Sequence, residues 1–235
     1  MHDTHVQTCI IASAILGSNT IKHYKVIMLL ISYFIFGLII IILIFWKFIF
    51  LRNPNRLIPK DKDIIVSPAD GKIIDILEFH NNNVRLYKGN KRFLGLINTI
   101  TSDVSKSGYI ISIFMSPLDV HYNRAPVSGE IINVQHTNGK FLPVNTIEAG
   151  LENEKSEITI KGDKITLKMI QIAGFLARRI VTYSKTGSQI DRGQVIGLIN
   201  LGSQVTLVVP DSIQIKIKKG DRVVAGETII AKINS

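Results

Sequence analysis

Three short polar clusters in this chain carry the residue types of a proton relay. The first is Ser67-Pro68-Ala69-Asp70-Gly71. The second lies in MSPLDVHYNRAPVSGEI, Met115 to Ile131, and places Asp119, His121, Asn123 and Arg124 close together. The third is Gly202-Ser203, inside GLINLGSQVTLVVP. A carboxylate orients an imidazole, and the imidazole takes the proton of a serine hydroxyl. A hydrolase sets its serine on an exposed strand-to-helix turn, in a G-x-S-x-G pattern. Ser203 instead separates two apolar runs and lacks that pattern. Its Oγ has one carbonyl close by covalent necessity, that of Gly202, and glycine neither shields that carbonyl nor resists strained backbone angles. Attack on its own backbone therefore suits Ser203 better than attack on an outside ester.

Each cluster also has an ordinary reading. Gly-Ser is a common turn, Ser67 to Gly71 reads as a proline-initiated turn capped by Asp70, and a single histidine beside a strand is commonly structural. Gly17-Ser18 and Gly187-Ser188 repeat the dipeptide. The first falls in a polar tail and the second in the polar stretch KTGSQIDRG. Neither has flanking apolar strands to hold a peptide bond still.

The elements that must position these residues read as strands. After Asp63 come GKIIDILEF, YIISIFM, EIINVQH, EITIKGDKITLKMIQI, QVTLVVP, IQIKIKKGD and TIIAKI, rich in Ile, Val and Thr and partly alternating at period two. Gly162-Asp163 predicts a hairpin turn, and Gly174 to Thr182 is the one stretch with room for a short helix. A weak repeat links VSPADGKIIDI (Val66 to Ile76) to APVSGEIINV (Ala125 to Val134). A second links SQIDRGQVIGLI (Ser188 to Ile199) to IKKGDRVVAGETIIAKI (Ile217 to Ile233). The expected domain, 64–235, is mainly β: a compact sandwich or barrel built from hairpins, similar to lipoyl and biotinyl carrier domains.

Ahead of it the pattern changes. Val26 to Trp46 holds no charged residue for 21 positions. As a helix that is about 30 Å, enough to cross a bilayer core. A signal peptide has a shorter apolar region and a small-residue cleavage site. The expected organisation is a loose tail over 1–25, a membrane anchor over 26–50 and a linker over 51–63. Gly37 leaves a re-entrant hairpin open as an alternative to a full crossing. Lys47, Arg52, Arg56, Lys60 and Lys62 outnumber Lys22 and Lys25 across the span, which predicts a cytoplasmic β domain on an inner membrane. The formal net charge of +10 suits anionic headgroups, because the basic residues do not cluster with aromatics as nucleic-acid binding would require. The single cysteine, Cys9, permits no internal disulfide.

VSPADGKI, FMSPLDVHYNRAPVSG, QIAGFLARRI and LGSQVTLVVP, with FLRNPNR after the span, together resemble the phosphatidylserine decarboxylases of the short, membrane-anchored type. The likeness runs from about Phe50 to Ser235, in the family's order. It implies a pyruvoyl enzyme made by self-cleavage between Gly202 and Ser203 into chains 1–202 and 203–235. Ser203 Oγ would convert the Gly202 amide to an ester, and β-elimination and hydrolysis would leave a pyruvoyl group and ammonia. That ketone would form a Schiff base with the serine headgroup of phosphatidylserine and act as the electron sink for loss of carbon dioxide. The resemblance also implies an Asp70–His121–Ser203 relay, while the guanidinium of Arg124 suits the lipid phosphate or carboxylate on its own chemistry. Longer relatives carry two histidines three positions apart in the second motif. Here the later position is Arg124, leaving His121 as the base of that segment. No metal and no nucleic acid are expected, and a homo-oligomer is left open. The alternative reading is a membrane-anchored, lipoyl-like adaptor without catalysis, with a serine hydrolase ranking below it.

Overall fold

The computed structural model describes residues 2–80, 83–84, 97, 99–142, 152–174, 179–200 and 202–234. The chain divides into two units, Met1–Ile49 and Phe50–Ser235. In the first, helix α1 (His2–Ile44) runs into a π-helical turn, Phe45–Phe50. The stretch His23–Phe50 contains an 18-residue window of mean hydropathy 3.1, none of that window buried in the protein. It is long and apolar enough to cross a membrane. The helix is unbroken at Gly37, where an added Cβ would meet nothing, so no re-entrant hairpin forms there. Residues 2–25, expected as a loose tail, are helical. Once an apolar segment has nucleated a helix, each further residue adds a hydrogen bond at little cost, and no proline lies upstream to stop it.

The second unit is mainly β. Its strands are β1 (Ile64–Val66), β2 (Gly71–His80), β3 (Asn83–Val84), β4 (Ser107–Met115), β5 (Tyr122–Arg124), β6 (Gly129–Thr137), β7 (Lys155–Lys161) and β8 (Thr166–Ile172). They continue with β9 (Ile180–Thr182), β10 (Gln189–Ile190), β11 (Val195–Ile199), β12 (Ser203–Pro210), β13 (Ile213–Ile215), β14 (Arg222–Val223) and β15 (Ile229–Ile233). One curled sheet takes the order β10-β6-β7-β8-β12-β4-β2-β14, with β3 beside β2. Two three-stranded sheets, β1-β15-β13 and β5-β11-β9, complete it.

Period-two patterning explains the layers. Ile111, Ile113, Met115, Val205, Leu207 and Val209 point to the main core, and Ile110, Ile170, Ile172 and Val208 to a smaller one on the opposite face. Strand β12 is therefore covered on both faces, which is why QVTLVVP reads as a nearly continuous apolar run. The Gly162-Asp163 hairpin forms as expected, with Gly162 N–H donating to the Ile165 carbonyl at 2.9 Å. The short helix considered for Gly174 to Thr182 does not extend to its end: Ile180–Thr182 is strand β9, and residues 175–178 lie outside the described residues.

The sequence repeat is a structural one. Val66 N–H donates to the Pro126 carbonyl and Arg124 N–H to the Pro68 carbonyl, so the two Pro-x-x-Gly motifs pair with each other. Each opens a long strand at a glycine, Gly71 (φ 150°) or Gly129 (φ 156°), where a Cβ would sit 2.2 or 2.3 Å from a neighbouring carbonyl oxygen. The partner motifs match too. Asp70 Oδ1 accepts from Ala225 N–H at 2.8 Å, and Ser128 Oγ accepts from Arg192 N–H at 2.9 Å. Those two amides immediately precede the turn glycines Gly226 and Gly193.

Residues 51–63 form no regular element, yet they are not a free linker. Arg52 donates to the Leu118 carbonyl and Arg56 to the Asp70 carboxylate. Arg124 donates to Asn53 and to the Pro54 carbonyl, and Leu57 N–H to Glu227 Oε1. Ile58 packs on both turn glycines, where a Cβ would lie 2.3 Å (Gly193) or 2.9 Å (Gly226) from its Cδ1. The segment is a strap across the repeat axis.

Candidate active site

Pairing brings the three polar clusters to one end of three adjacent strands. Met115, the last residue of β4, lies opposite Ser203, the first of β12. Lys72, next to the Asp70–Gly71 corner at the start of β2, lies opposite Phe114. A tight turn after β4 then leads to His121: Asp119 N–H donates to the Ser116 carbonyl, while Asp119 Oδ2 accepts from both Ser116 N–H (2.8 Å) and Ser116 Oγ (2.7 Å). His121 is locked to β11 by its carbonyl, which accepts from Ile199 N–H at 3.3 Å.

Gly202 has φ +61°, the left-handed region where any other residue is strained by about 1 kcal/mol. An added Cβ would meet no atom within 4 Å, so conformation and not space asks for glycine here. Leu201, before it, lies outside the described residues. Ser203 is fully buried, and its Oγ has one weak partner, Met115 Sδ at 3.6 Å. The same sulfur takes Asn123 Nδ2 at 3.7 Å. Behind Asn123 a buried chain continues: Gln171 Nε2 donates to Asn123 Oδ1 at 2.8 Å, and Thr182 Oγ1 to Gln171 Oε1 at 3.1 Å. Gly187-Ser188 offers no such setting. Its glycine is exposed and Ser188 Oγ merely accepts from Lys185 N–H in a turn.

His121 is fully buried. Its Nδ1 lies 2.8 Å from the Asp119 carbonyl, which only accepts, so Nδ1 carries the hydrogen. In the neutral ring Nε2 is then the acceptor, and it is buried without a partner. The Phe50 ring covers the imidazole with centroids 4.2 Å apart and planes tilted by 36°. Burial pushes the pKa of His121 down to about 4, against the smaller upward pull of the Asp119 carbonyl and the Asp119 charge. At neutral pH the ring is uncharged.

The relay is not closed by hydrogen bonds. Both oxygens of Asp70 accept from Arg56 Nη2, at 3.0 and 2.9 Å, and Oδ1 also takes Ala225 N–H. Asp70 thus does cap a turn, in the C-terminal segment, and reaches His121 as a nearby charge without touching it. The Arg124 guanidinium donates to the Gly193 carbonyl (2.8 Å), Asn53 Oδ1 (2.6 Å) and the Pro54 carbonyl (3.2 Å), and so clamps the strap. Burial, then the charge of Arg56, lowers its pKa. Sequence reasoning gave no role to Phe50, Arg56, Met115 or Gln171, although FLRNPNR, FMSPLDVHYNRAPVSG and QIAGFLARRI contain them. Among the described residues no three His, Cys, Asp or Glu side chains gather as a metal site.

Comparison with known proteins decides the family. The family model described as phosphatidylserine decarboxylase matches residues 45–231. This chain belongs to the phosphatidylserine decarboxylase family. A relative from Methanothermobacter thermautotrophicus, named putative archaetidylserine decarboxylase proenzyme, is 42% identical over 210 residues, covering 88% of this chain and 89% of the relative. One of the same name from Methanocaldococcus jannaschii is 38% identical, covering 83% and 94%. The phosphatidylserine decarboxylase proenzyme of Carboxydothermus hydrogenoformans is 37% identical, covering 84% of each chain. The decarboxylase match begins at residue 45 and so takes in the whole strap along with the Gly202-Ser203 corner.

Proposed function

We propose that this chain is a proenzyme that cuts itself between Gly202 and Ser203 and then decarboxylates the serine headgroup of a phospholipid, phosphatidylserine or its ether-linked counterpart. One observation carries the reading: a buried serine opens the central strand directly after a glycine held at φ +61°. A peptide bond held in a fixed conformation beside a buried hydroxyl is what intramolecular attack requires.

The chemistry balances within the chain plus one water. Ser203 Oγ adds to the Gly202 carbonyl carbon as its proton leaves. The C–N bond then breaks, giving an ester and a free amine. Loss of the Ser203 Cα proton expels Gly202 as a carboxylate, and water converts the remaining enamine to a ketone with release of ammonia. The products are 1–202 and a 33-residue chain starting at position 203.

The residues present fit such a group. Position 203 is closed to solvent, and among the described residues its hydroxyl meets one thioether and the imidazole nitrogen at the same strand end has no partner. The pyruvoyl group supplies an electron sink for decarboxylation. Met115 and Asn123 fix the position beside it. His121, its proton on Nδ1, offers Nε2 to accept a proton and return it. Phe50 excludes water from that nitrogen. Asp70 contributes charge at a distance and fixes the Ala225 corner of the C-terminal fragment.

The apolar stretch His23–Phe50 serves as the anchor, with the basic residues after it on the cytoplasmic side. The test is intact mass after borohydride with an added amine. Two chains are expected, the shorter one blocked at its N-terminus and gaining the mass of a reduced amine adduct. A single 235-residue chain that releases no carbon dioxide from a serine phospholipid overturns the proposal.

A further inference from the structure

A leucine stands in solvent three residues from the buried imidazole. Leu118 is 64% exposed, at the tip of Ser116-Pro117-Leu118-Asp119, while Val120 and His121 behind it are 3% and 0% exposed. The exposure is built in. Asp119 closes the turn with two side-chain bonds to Ser116 and a third through its own amide, so the leucine cannot fold back.

Its neighbours say what covers it. The apolar stretch ends at Phe50, and Phe50 is packed on His121 within the β-rich unit. Two residues later Arg52 donates to the Leu118 carbonyl itself. Chain connection alone therefore ties the Leu118 turn to the point where the apolar stretch stops. On its other side Arg222, 67% exposed, reaches Asp119 Oδ1 at 3.0 Å. An apolar tip flanked by cations matches an interface with apolar interior and anionic rim.

We infer that the Pro117–Leu118 turn docks into the headgroup zone of an anionic bilayer, Leu118 inserting while Arg52 and Arg222 meet lipid phosphates. Substrate lipid then enters the site without leaving the membrane. The inference rests on the reading of His23–Phe50 as a span, and its test separates the two.

The full chain is used in a Cys9→Ser background, with Leu118→Cys or, as a control, Gln135→Cys on β6, four strands from β4 in the sheet. Each is labelled with an environment-sensitive dye and reconstituted into vesicles of phosphatidylcholine and phosphatidylglycerol. The label at 118 is expected to resist aqueous iodide and to be quenched by headgroup-level spin-labelled lipid, with the reverse at 135. A chain that floats with the vesicles but leaves 118 as open to iodide as 135 overturns the docking alone. A chain that does not float overturns the span as well. Neither readout needs catalysis. In addition, Leu118→Asp is expected to slow turnover on vesicle lipid about tenfold, the factor that burying one leucine supplies, with turnover on short-chain monomeric lipid unchanged. Equal losses on both substrates would mean that the turn serves the chemistry and not the membrane.

Discussion

Phe50 and His121 lie ring against ring at 4.2 Å, so the residue that ends the apolar stretch is also the lid of the buried imidazole. Removing that ring admits water to a nitrogen that has no other partner. In Phe50→Ala the pKa of His121 is expected to rise from about 4 toward its ordinary 6.5, with Phe50→Leu changing it less. Nitrogen NMR of labelled histidine, titrated in the Ser203→Ala background, reads the shift. An unmoved titration would show that Phe50 does not set this environment.

The same histidine fixes a pH limb in stability. Its folded pKa lies below its unfolded one, so the unfolded chain binds the extra proton between pH 6.5 and about 4. Stability therefore falls as pH drops through that window, by on the order of 3 kcal/mol in total. His121→Gln should flatten that limb in denaturant unfolding of Ser203→Ala protein. An equally steep fall in the variant would assign it to other groups.

Cleavage is expected at Gly202-Ser203 alone. Ser203→Ala should remain one uncut, inactive chain of 235 residues, while Ser188→Ala and Ser18→Ala should yield the 33-residue fragment as the parent does. A processed, active Ser203→Ala protein ends the pyruvoyl reading.

Asp70 and Arg56 form an ion pair with side chains only 14% and 9% exposed. Breaking such a pair strands a charge, so Asp70→Asn and Arg56→Gln should each cost about 2–4 kcal/mol, and the double variant clearly less than their sum. Asp70→Asn keeps an oxygen for Ala225 N–H and is expected to slow self-cleavage, whereas a purely structural Asp70 would leave the rate unchanged in the surviving folded fraction.

Truncation separates anchor from strap. A chain starting at Phe50 keeps the imidazole lid and should fold and process. One starting at Ile64 loses Phe50, Arg56 and Ile58 together and should melt about 10 °C lower, as a loss of roughly 3 kcal/mol implies for a domain of this size. Equal melting temperatures would show the strap to be a passive tether.

The strands were legible because each buries one or both faces and shows it at period two, as Ile158 and Ile160 or Val205 and Leu207 do. The repeat was legible as paired Pro-x-x-Gly motifs, although their mutual hydrogen bonds were not. The strap was not, since its prolines and charges look solvated until its partners are known. Those lie 14 residues away for Arg56 and 170 for Leu57, with no local pattern joining them. Asp70 was legible in sequence as a turn cap, and it does cap the Ala225 corner. Which side chain met its oxygens was decided by Arg56, across the fold. The tail failed for the opposite reason: residues 2–25 have no amphipathic stripe, and the apolar helix they extend sets their conformation.

Strand β12 runs between β8 and β4, hydrogen-bonded on both sides, and β15 likewise lies between β1 and β13. A cut just before Ser203 frees a chain end but releases no piece. The short fragment carries β12, β13, β14 and β15, and three of them pair directly with strands of the long one: β12 with β4 and β8, β14 with β2, and β15 with β1. What changes is molecularity. The uncut chain refolds as one body, at a rate indifferent to dilution, whereas the severed pair must find each other again. The proposed cleavage would turn a first-order folding problem into a second-order one, and the folded precursor would then be a template that the severed pair could not rebuild by itself when dilute.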